Sequence, residues 1–291
     1  MKNLANFLLL LVLIFSLGCT SKKKQARYLD YKSFKDGYAK VNDSLYVGIG
    51  EVSNAEFNKF LNYLRSSQQA TLAEMYNFDT AQWSVGLNVW GPMGKYYHSH
   101  VAYKDYPAVN VSYEGAVAYC QWLTDEYQKN PKRRFKKVIF RLPTETEWKQ
   151  AARGGRENFE FPWGGPFLRN SRGNHLANYR SIPESSAKDT VINNLDVVII
   201  NRNVAGSLAS AVSDNSIITT PVKSYWPNSY GLYNMAGNVS EMLAEKGHTK
   251  GGNWRSLGYY LRIDAEDEFG GKQLTPSPLV GFRVFAEIVE K

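Results

Sequence analysis

The chain has 291 residues, enough for one large domain or two small ones, with 43% hydrophobic and 14% aromatic content. That composition can fill a packed core and excludes global disorder. The formal net charge of +8 comes partly from Lys22-Lys23-Lys24 with Arg27 and partly from the run Lys129 to Lys137. No nucleic-acid-binding motif accompanies it, which leaves solvated surface or a face toward lipid headgroups or lipopolysaccharide.

In chain order, the first feature is Lys2 followed by an apolar run from Phe7 to Leu17 and then Gly18-Cys19-Thr20-Ser21. A cationic start, an apolar stretch and a small residue before the cut describe a secretory signal over residues 1–18, too short for an ordinary membrane-spanning helix. Gly18-Cys19 resembles the lipobox of bacterial lipoproteins, with Ser16 where Leu is commonest. The resemblance implies that Cys19 is acylated and becomes the new N-terminus; an uncleaved anchor is the alternative. Residues 19–40, basic and polar, read as a tether, and 41–291 as the folded domain.

The domain opens with a strand at Tyr46-Val47-Gly48. A helix follows, begun by Ser53 with Glu56 three residues on, a capping box. From Ser66 to Tyr103 no clean period appears; the stretch is aromatic and reads as an irregular excursion packed on the core. Tyr106 to Ser112 reads as a strand, and Ser112 as the N-cap of a helix over Tyr113–Tyr127. That helix sets Val117, Cys120 and Leu123 or Thr124 on one side, so Cys120 reads as a buried, inert thiol. Lys136 to Arg141 is a strand, and Thr144 with Glu147 is a second capping box for a helix to Arg153. Beyond Pro162 come Gly and Pro punctuation and long loops to Thr220, then short strands and turns.

Four blocks, Pro107 to Leu123, Phe140-Arg141-Leu142-Pro143-Thr144-Glu145-Thr146-Glu147-Trp148, Tyr230 to Glu241 and Lys250-Gly251-Gly252-Asn253-Trp254, precede a closing Gly281-Phe282-Arg283. Together they resemble the formylglycine-generating-enzyme (sulfatase-modifying factor) domain family over Val47 to Phe285. The resemblance implies a complex, loop-rich α+β fold related to C-type lectins. Catalytic members bind copper through two cysteines after Gly-Gly-Ser-Trp; the matching positions here are Ser256 and Leu261, and Asn253 replaces the neighbouring serine. Soft thiolates select Cu(I), so no copper cofactor and no formylglycine chemistry is expected. Iron held by histidines, as in related sulfoxide synthases, is not expected either: His98 and His100 alternate along a strand, and His175 and His248 stand apart.

Calcium is the metal the resemblance implies. One site pattern falls on Asn178 and Tyr179 with Asp214 and Ser216, the other on Gly237, Val239 and Glu241; both offer the hard oxygens that this ion prefers. Asp264-Ala265-Glu266-Asp267-Glu268 reads as solvated surface, and Glu145, Glu147, Arg141 and Arg153 as a buried ion-pair network. Tyr97 to Pro107 further resembles the lipoproteins of gliding motility and type IX secretion. The expectation is therefore a non-catalytic lipoprotein, anchored at the periplasmic face of the outer membrane and acting as a scaffold among envelope protein partners. An envelope enzyme of the superfamily with other chemistry, signalled by a polar pocket at Asn253, Arg255 and Ser256, is one alternative; a carbohydrate- or peptide-binding protein is another. An aromatic surface from Trp83, Trp90 and Tyr96 would favour the scaffold.

Overall fold

The computed structural model describes residues 30–85, 91–181, 187–192, 195–200, 207–208 and 217–291. The helices are α1 (Tyr31–Gly37), α2 (Asn54–Ser66), α3 (Ala70–Met75), α4 (Gly91–Tyr96), α5 (Tyr113–Lys129) and α6 (Glu145–Arg153). The strands are β1 (Tyr38–Lys40), β2 (Leu45–Gly48), β3 (Lys137–Arg141), β4 (Arg180–Ser181), β5 (Ala187–Ile192), β6 (Leu195–Ile200), β7 (Ser207–Leu208), β8 (Ser240–Met242), β9 (Thr249–Lys250), β10 (Val280–Gly281) and β11 (Phe285–Glu290). Short elements separated by irregular stretches make this the α+β, loop-rich class that the sequence implies.

The main sheet joins distant parts of the chain in the antiparallel order β1-β2-β11-β3, with Phe285 opposite Val47 on one side and Arg141 on the other. Alternation along the strands sends side chains to two faces, and both are covered. Tyr46, Val138, Phe140, Ala286 and Ile288 join the aromatic core made with α2 and α5, around Phe57, Phe60, Tyr119, Trp122 and Tyr127. Leu45, Val47 and Phe285 join a second core with Trp148, Ala151 and Ala152 of α6. A smaller sheet, β10-β8-β9, sets β8 between a parallel and an antiparallel neighbour, which carries Glu241 into the interior.

The helix starts follow the sequence. Ser53 and Glu56, and again Thr144 and Glu147, form reciprocal capping boxes, and Ser112 Oγ accepts from Gly115 N at 3.0 Å. The helix α6 stops at Gly154, whose φ of 63° lies in the left-handed region.

Four expectations change. The tether ends earlier than residue 40, because α1 and β1 belong to the domain: Phe34 is fully buried and packs on Tyr46, Tyr127 and Phe135. Tyr106 to Ser112 is no strand beyond one bridge, Ser53 to Pro107; Pro107 has no N–H to give, and Asn110 turns left-handed at φ 57°. On α5 the buried side runs through Ala116, Tyr119, Cys120 and Leu123, while Val117 is exposed. The stretch before Thr220 also contains a hairpin, β5 paired with β6 from Ala187↔Ile200 to Ile192↔Leu195.

Candidate functional site

The two positions that match the copper cysteines converge. Gly252 sits at φ 67°, and a Cβ placed on it would lie 3.0 Å from Leu261 Cδ1 and 3.3 Å from Ser256 Cβ. The backbone that presents them is pinned on both sides: Gly237 N donates to Gly251 O (2.8 Å), Trp254 N to Asn238 O (2.9 Å) and Trp254 Nε1 to Pro278 O (3.1 Å). The side chains there do not match a thiolate pair. Ser256 is buried; its Oγ accepts from Asn253 N at 2.8 Å and donates to Glu268 Oε2. Asn253 Nδ2 donates to Ser240 Oγ (3.1 Å) and Glu268 Oε2 (3.3 Å). Leu261 is closed into an apolar cluster with Phe161, Ala177, Tyr179 and Ala236. One half of the site is thus a tied hydroxyl–amide–carboxylate group and the other half is hydrocarbon.

Among the described residues no thiol can substitute. Cys120, the free cysteine among the described residues, is buried on α5, and burial pushes its thiol well up. The polar pocket at Asn253, Arg255 and Ser256 that would signal other chemistry is a filled network instead, with Arg255 exposed.

Below this lies a chain of buried polar groups. Glu241 Oε1 accepts from Arg283 Nε (2.9 Å) and Nη2 (2.7 Å), and Oε2 from Trp148 Nε1 (2.7 Å). Arg283 also donates to Gly48 O (2.8 Å) and Tyr233 O (2.7 Å). Glu51 accepts from Asn238 Nδ2 (2.8 Å) and Asn234 Nδ2 (3.2 Å). Burial pushes the Glu51 carboxyl up to about 8, against the pull of nearby Arg283. Asn238 Oδ1 takes Thr220 N at 2.7 Å, and Asn238 N donates to Asn178 O at 2.8 Å. The sequence does not single out Glu51, Asn234 and Asn238 as a unit; nothing in the local pattern around Glu51-Val52 distinguishes a buried acid from a capping one.

The two calcium patterns meet here. A Cβ on Gly237 would lie 2.4 Å from Asn178 O, so these segments touch, and Tyr179 is buried beside them with its hydroxyl 3.0 Å from His175 Nδ1. Asn178 is fully buried; its Nδ2 donates to Ile218 O (2.9 Å), and its Oδ1 has no partner among the described residues. A buried acceptor without a donor is a place for a cation or water. Asp214 and Ser216 lie outside the described residues. Val239 packs with Trp83, Tyr97 and Trp254. Glu241 offers a cation little, since its oxygens are taken by Arg283 and Trp148 and a guanidinium charge already sits beside it.

The histidines are structural in placement. His98 and His100 occupy the turn after α4, not a strand; His98 is buried and His100 exposed. Asn54 Nδ2 is committed to Tyr97 O and Tyr103 O at 3.0 Å, so its Oδ1 faces His98 Nδ1 as acceptor (3.0 Å). The proton therefore sits on Nδ1, and burial lowers the imidazole to about 3. Trp83 is fully buried and adds nothing to an aromatic surface; Tyr96 is partly exposed and Trp90 lies outside the described residues.

Two acidic groups also differ from expectation. Asp267 and Glu268 turn inward: Asp267 Oδ1 accepts from Thr249 Oγ1 (2.8 Å) and Glu268 holds Ser256. The Arg141–Glu147 (2.6 Å), Arg141–Glu287 (2.8 Å) and Arg153–Asp264 (2.6 Å) pairs are half exposed, not buried. A separate cavity of about 410 Å³ lies between α1, β2, α2 and α5, with Tyr38, Glu51, Lys59, Tyr119, Val222 and Lys223 among its walls.

The chain is similar to proteins of one known family. The family model of the sulfatase-modifying factor enzyme 1-like domain matches residues 31–288. The formylglycine-generating enzyme of Bos taurus is 31% identical over 222 residues, which is 70% of this chain and 49% of that protein. The inactive C-alpha-formylglycine-generating enzyme 2 of Bos taurus is 29% identical over 164 residues, 56% of this chain and 40% of its own. The chain thus spans about half the length, or less, of these curated relatives. The crystal structure of CarF superposes with a TM-score of 0.49 at 20% identity, covering 84% of this chain and 86% of that one. The start of the family match at residue 31 coincides with α1, and the chain belongs to the sulfatase-modifying factor enzyme 1-like domain family.

Proposed function

We propose that this protein is a non-catalytic member of its family, a lipoprotein anchored through Cys19 at the periplasmic face of the outer membrane, where it serves as a scaffold or accessory of gliding motility or protein secretion. The observation that carries the non-catalytic reading is the pair Ser256 and Leu261 around Gly252. One position holds a hydroxyl tied to Glu268, and the other a leucine enclosed in hydrocarbon. Oxidation of a substrate cysteine at a copper site needs two thiolates there, and neither side chain ligates Cu(I). A relative named as inactive supports the view that this fold is kept without the reaction.

The chemistry is tested directly. Purified mature protein, supplied with copper, oxygen and a cysteine-containing sulfatase peptide, leaves the peptide mass unchanged; formylglycine in the product sinks the reading. Anchoring is tested by Cys19→Ser, which releases the protein from the membrane fraction, and by protease on intact cells, which spares the wild type. Crosslinking in membranes followed by co-purification identifies the scaffold's partner, and recovery of the protein alone counts against that role.

Calcium fits the Asn178 half of the family's site pattern, because Asn178 Oδ1 is a buried oxygen with no donor among the described residues. The ion would be held by Asn178 and the Tyr179 carbonyl with Asp214 and Ser216, and would supply fixed positive charge that ties these segments together. The cavity beside Glu51 favours a second reading, a peptide- or carbohydrate-binding domain.

A further inference from the structure

The basic run at the end of α5 carries six Lys or Arg in nine positions, Lys129 to Lys137. Such runs are ordinarily loose and solvated, but this one is fixed. Phe135 is its internal fastener: its ring lies 5.7 Å from Phe34 and 5.5 Å from Tyr46, and its N–H donates to Tyr127 Oη at 2.8 Å. Asn130 Oδ1 accepts from Lys132 N at 2.9 Å, and Arg133 donates to Asn130 O (3.2 Å) and Lys136 O (3.1 Å). These contacts hold the backbone of the turn in one path. Glu126 meets Lys129 at 3.1 Å and Glu290 meets Lys136 at 2.9 Å. Lys132 and Lys137 are exposed.

This turn lies where the chain enters the domain. Phe34 of α1 packs on Phe135, and the Asp30 carboxyl, held below the usual range chiefly by Ser33 hydrogen bonds, also feels the charge of Lys132. Residues 20–29 separate Asp30 from Cys19 and add Lys22, Lys23, Lys24 and Arg27. Fully extended, that connection reaches at most roughly 40 Å. A lipid at Cys19 thus keeps Asp30 within that reach of the leaflet that holds it.

We propose that the Lys129–Lys137 turn is a membrane-docking face, which seats the domain on the phosphate headgroups of the leaflet in which Cys19 is anchored. The inference rests on the lipid-anchor reading. Charge complementarity selects the occupant: each basic residue near an anionic surface adds attraction that decays within a Debye length, and a lipid chain with a basic patch forms a two-signal anchor. The domain would then be held in one orientation on the leaflet.

The test uses the full mature chain carrying Cys19→Ser, so that no acyl chain contributes, with vesicles of phosphatidylcholine alone or mixed with phosphatidylglycerol. Binding is expected only to the mixed vesicles, weakening as salt rises. Lys132→Gln with Lys137→Gln should lower the affinity about thirtyfold with little change in melting temperature, since both side chains are exposed. Replacing Lys22, Lys23 and Lys24 by Gln should leave phosphatidylglycerol-dependent binding measurable. Equal binding to both vesicle types, no loss in the Lys132/Lys137 variant, or loss confined to the Lys22–Lys24 variant overturns the proposal. The mass of the wild-type N-terminus reads the anchor separately: an unacylated Cys19 removes the anchor, while the vesicle result decides the turn.

Discussion

Arg283 and Glu241 meet inside the protein, 0% and 1% exposed, with the guanidinium 2.7 and 2.9 Å from a single carboxylate oxygen. They link the main sheet's approach to β11 with the small sheet's central strand. Removing one partner strands a buried charge, which costs far more than the pair gains over hydrocarbon.

Arg283→Met should therefore lower the free energy of unfolding by about 3–5 kcal/mol, read as a shift in the urea midpoint. Adding Glu241→Met should recover only part of the loss, because Gly48 O, Tyr233 O and Trp148 Nε1 would still lack their partners. Additive losses in the double variant would show that the two groups are not coupled.

Glu51 makes stability depend on pH in the direction opposite to a salt-bridged acid. Its carboxyl is raised by burial from 4.5 to about 8, so the folded state binds a proton that the unfolded chain releases. The stabilising contribution is complete below 4.5 and is lost as pH rises through about 8. The wild type minus Glu51→Gln difference in unfolding free energy should fall by several kcal/mol, at most about 5, across that window. A difference that is flat with pH, or rises, contradicts a neutral Glu51.

Restoring the two thiolates tests whether Ser256 and Leu261 truly stand at the copper positions. Ser256→Cys with Leu261→Cys should raise Cu(I) affinity above that of either single variant, measured by competition with a chromophoric chelator. Stability should drop by about 1–3 kcal/mol, since Leu261 leaves apolar volume behind. A double variant that binds Cu(I) no better than the single ones places the two side chains apart.

Calcium should stabilise the fold by binding the native state alone. Chelation is expected to lower the melting temperature of the wild type, and Asn178→Ala should blunt that response. Elemental analysis without calcium, together with an unchanged melting curve, would remove the ion from the account.

Local rules make much of the fold legible. The capping residues Ser53, Ser112 and Thr144 announce three helices because the signal is short in range and chemically specific. The hairpin β5/β6 also has its cue, Asn193-Asn194 between β-branched runs, but the cue is easily lost among loop residues of similar type. The site divides differently. Ser256 and Leu261 are located only through the family resemblance, as the positions two and seven residues after Trp254. Glu268 reads as one more acid in a solvated run, and only the fold turns it toward Ser256. Glu51 and Asn238 are likewise joined by tertiary packing across the chain, which no local pattern reports. Phe34 reads as part of a tether because the basic, polar composition of residues 19–40 outweighs the spacing of Tyr31, Phe34 and Tyr38.

The place of β11 between β2 and β3 bears on how the protein is made. Phe285 must find both Val47 and Arg141 before the main sheet closes, so the native topology is dominated by pairings between remote segments. Such chains fold slowly, and their open strand edges stay available to other chains in the meantime. Synthesis that stops short of residue 285 yields a product with an unfilled slot in its central sheet. Under the proposed export to the periplasm the same delay is an advantage: β11 acts as the closing element, and the sheet cannot lock while that strand is still being delivered.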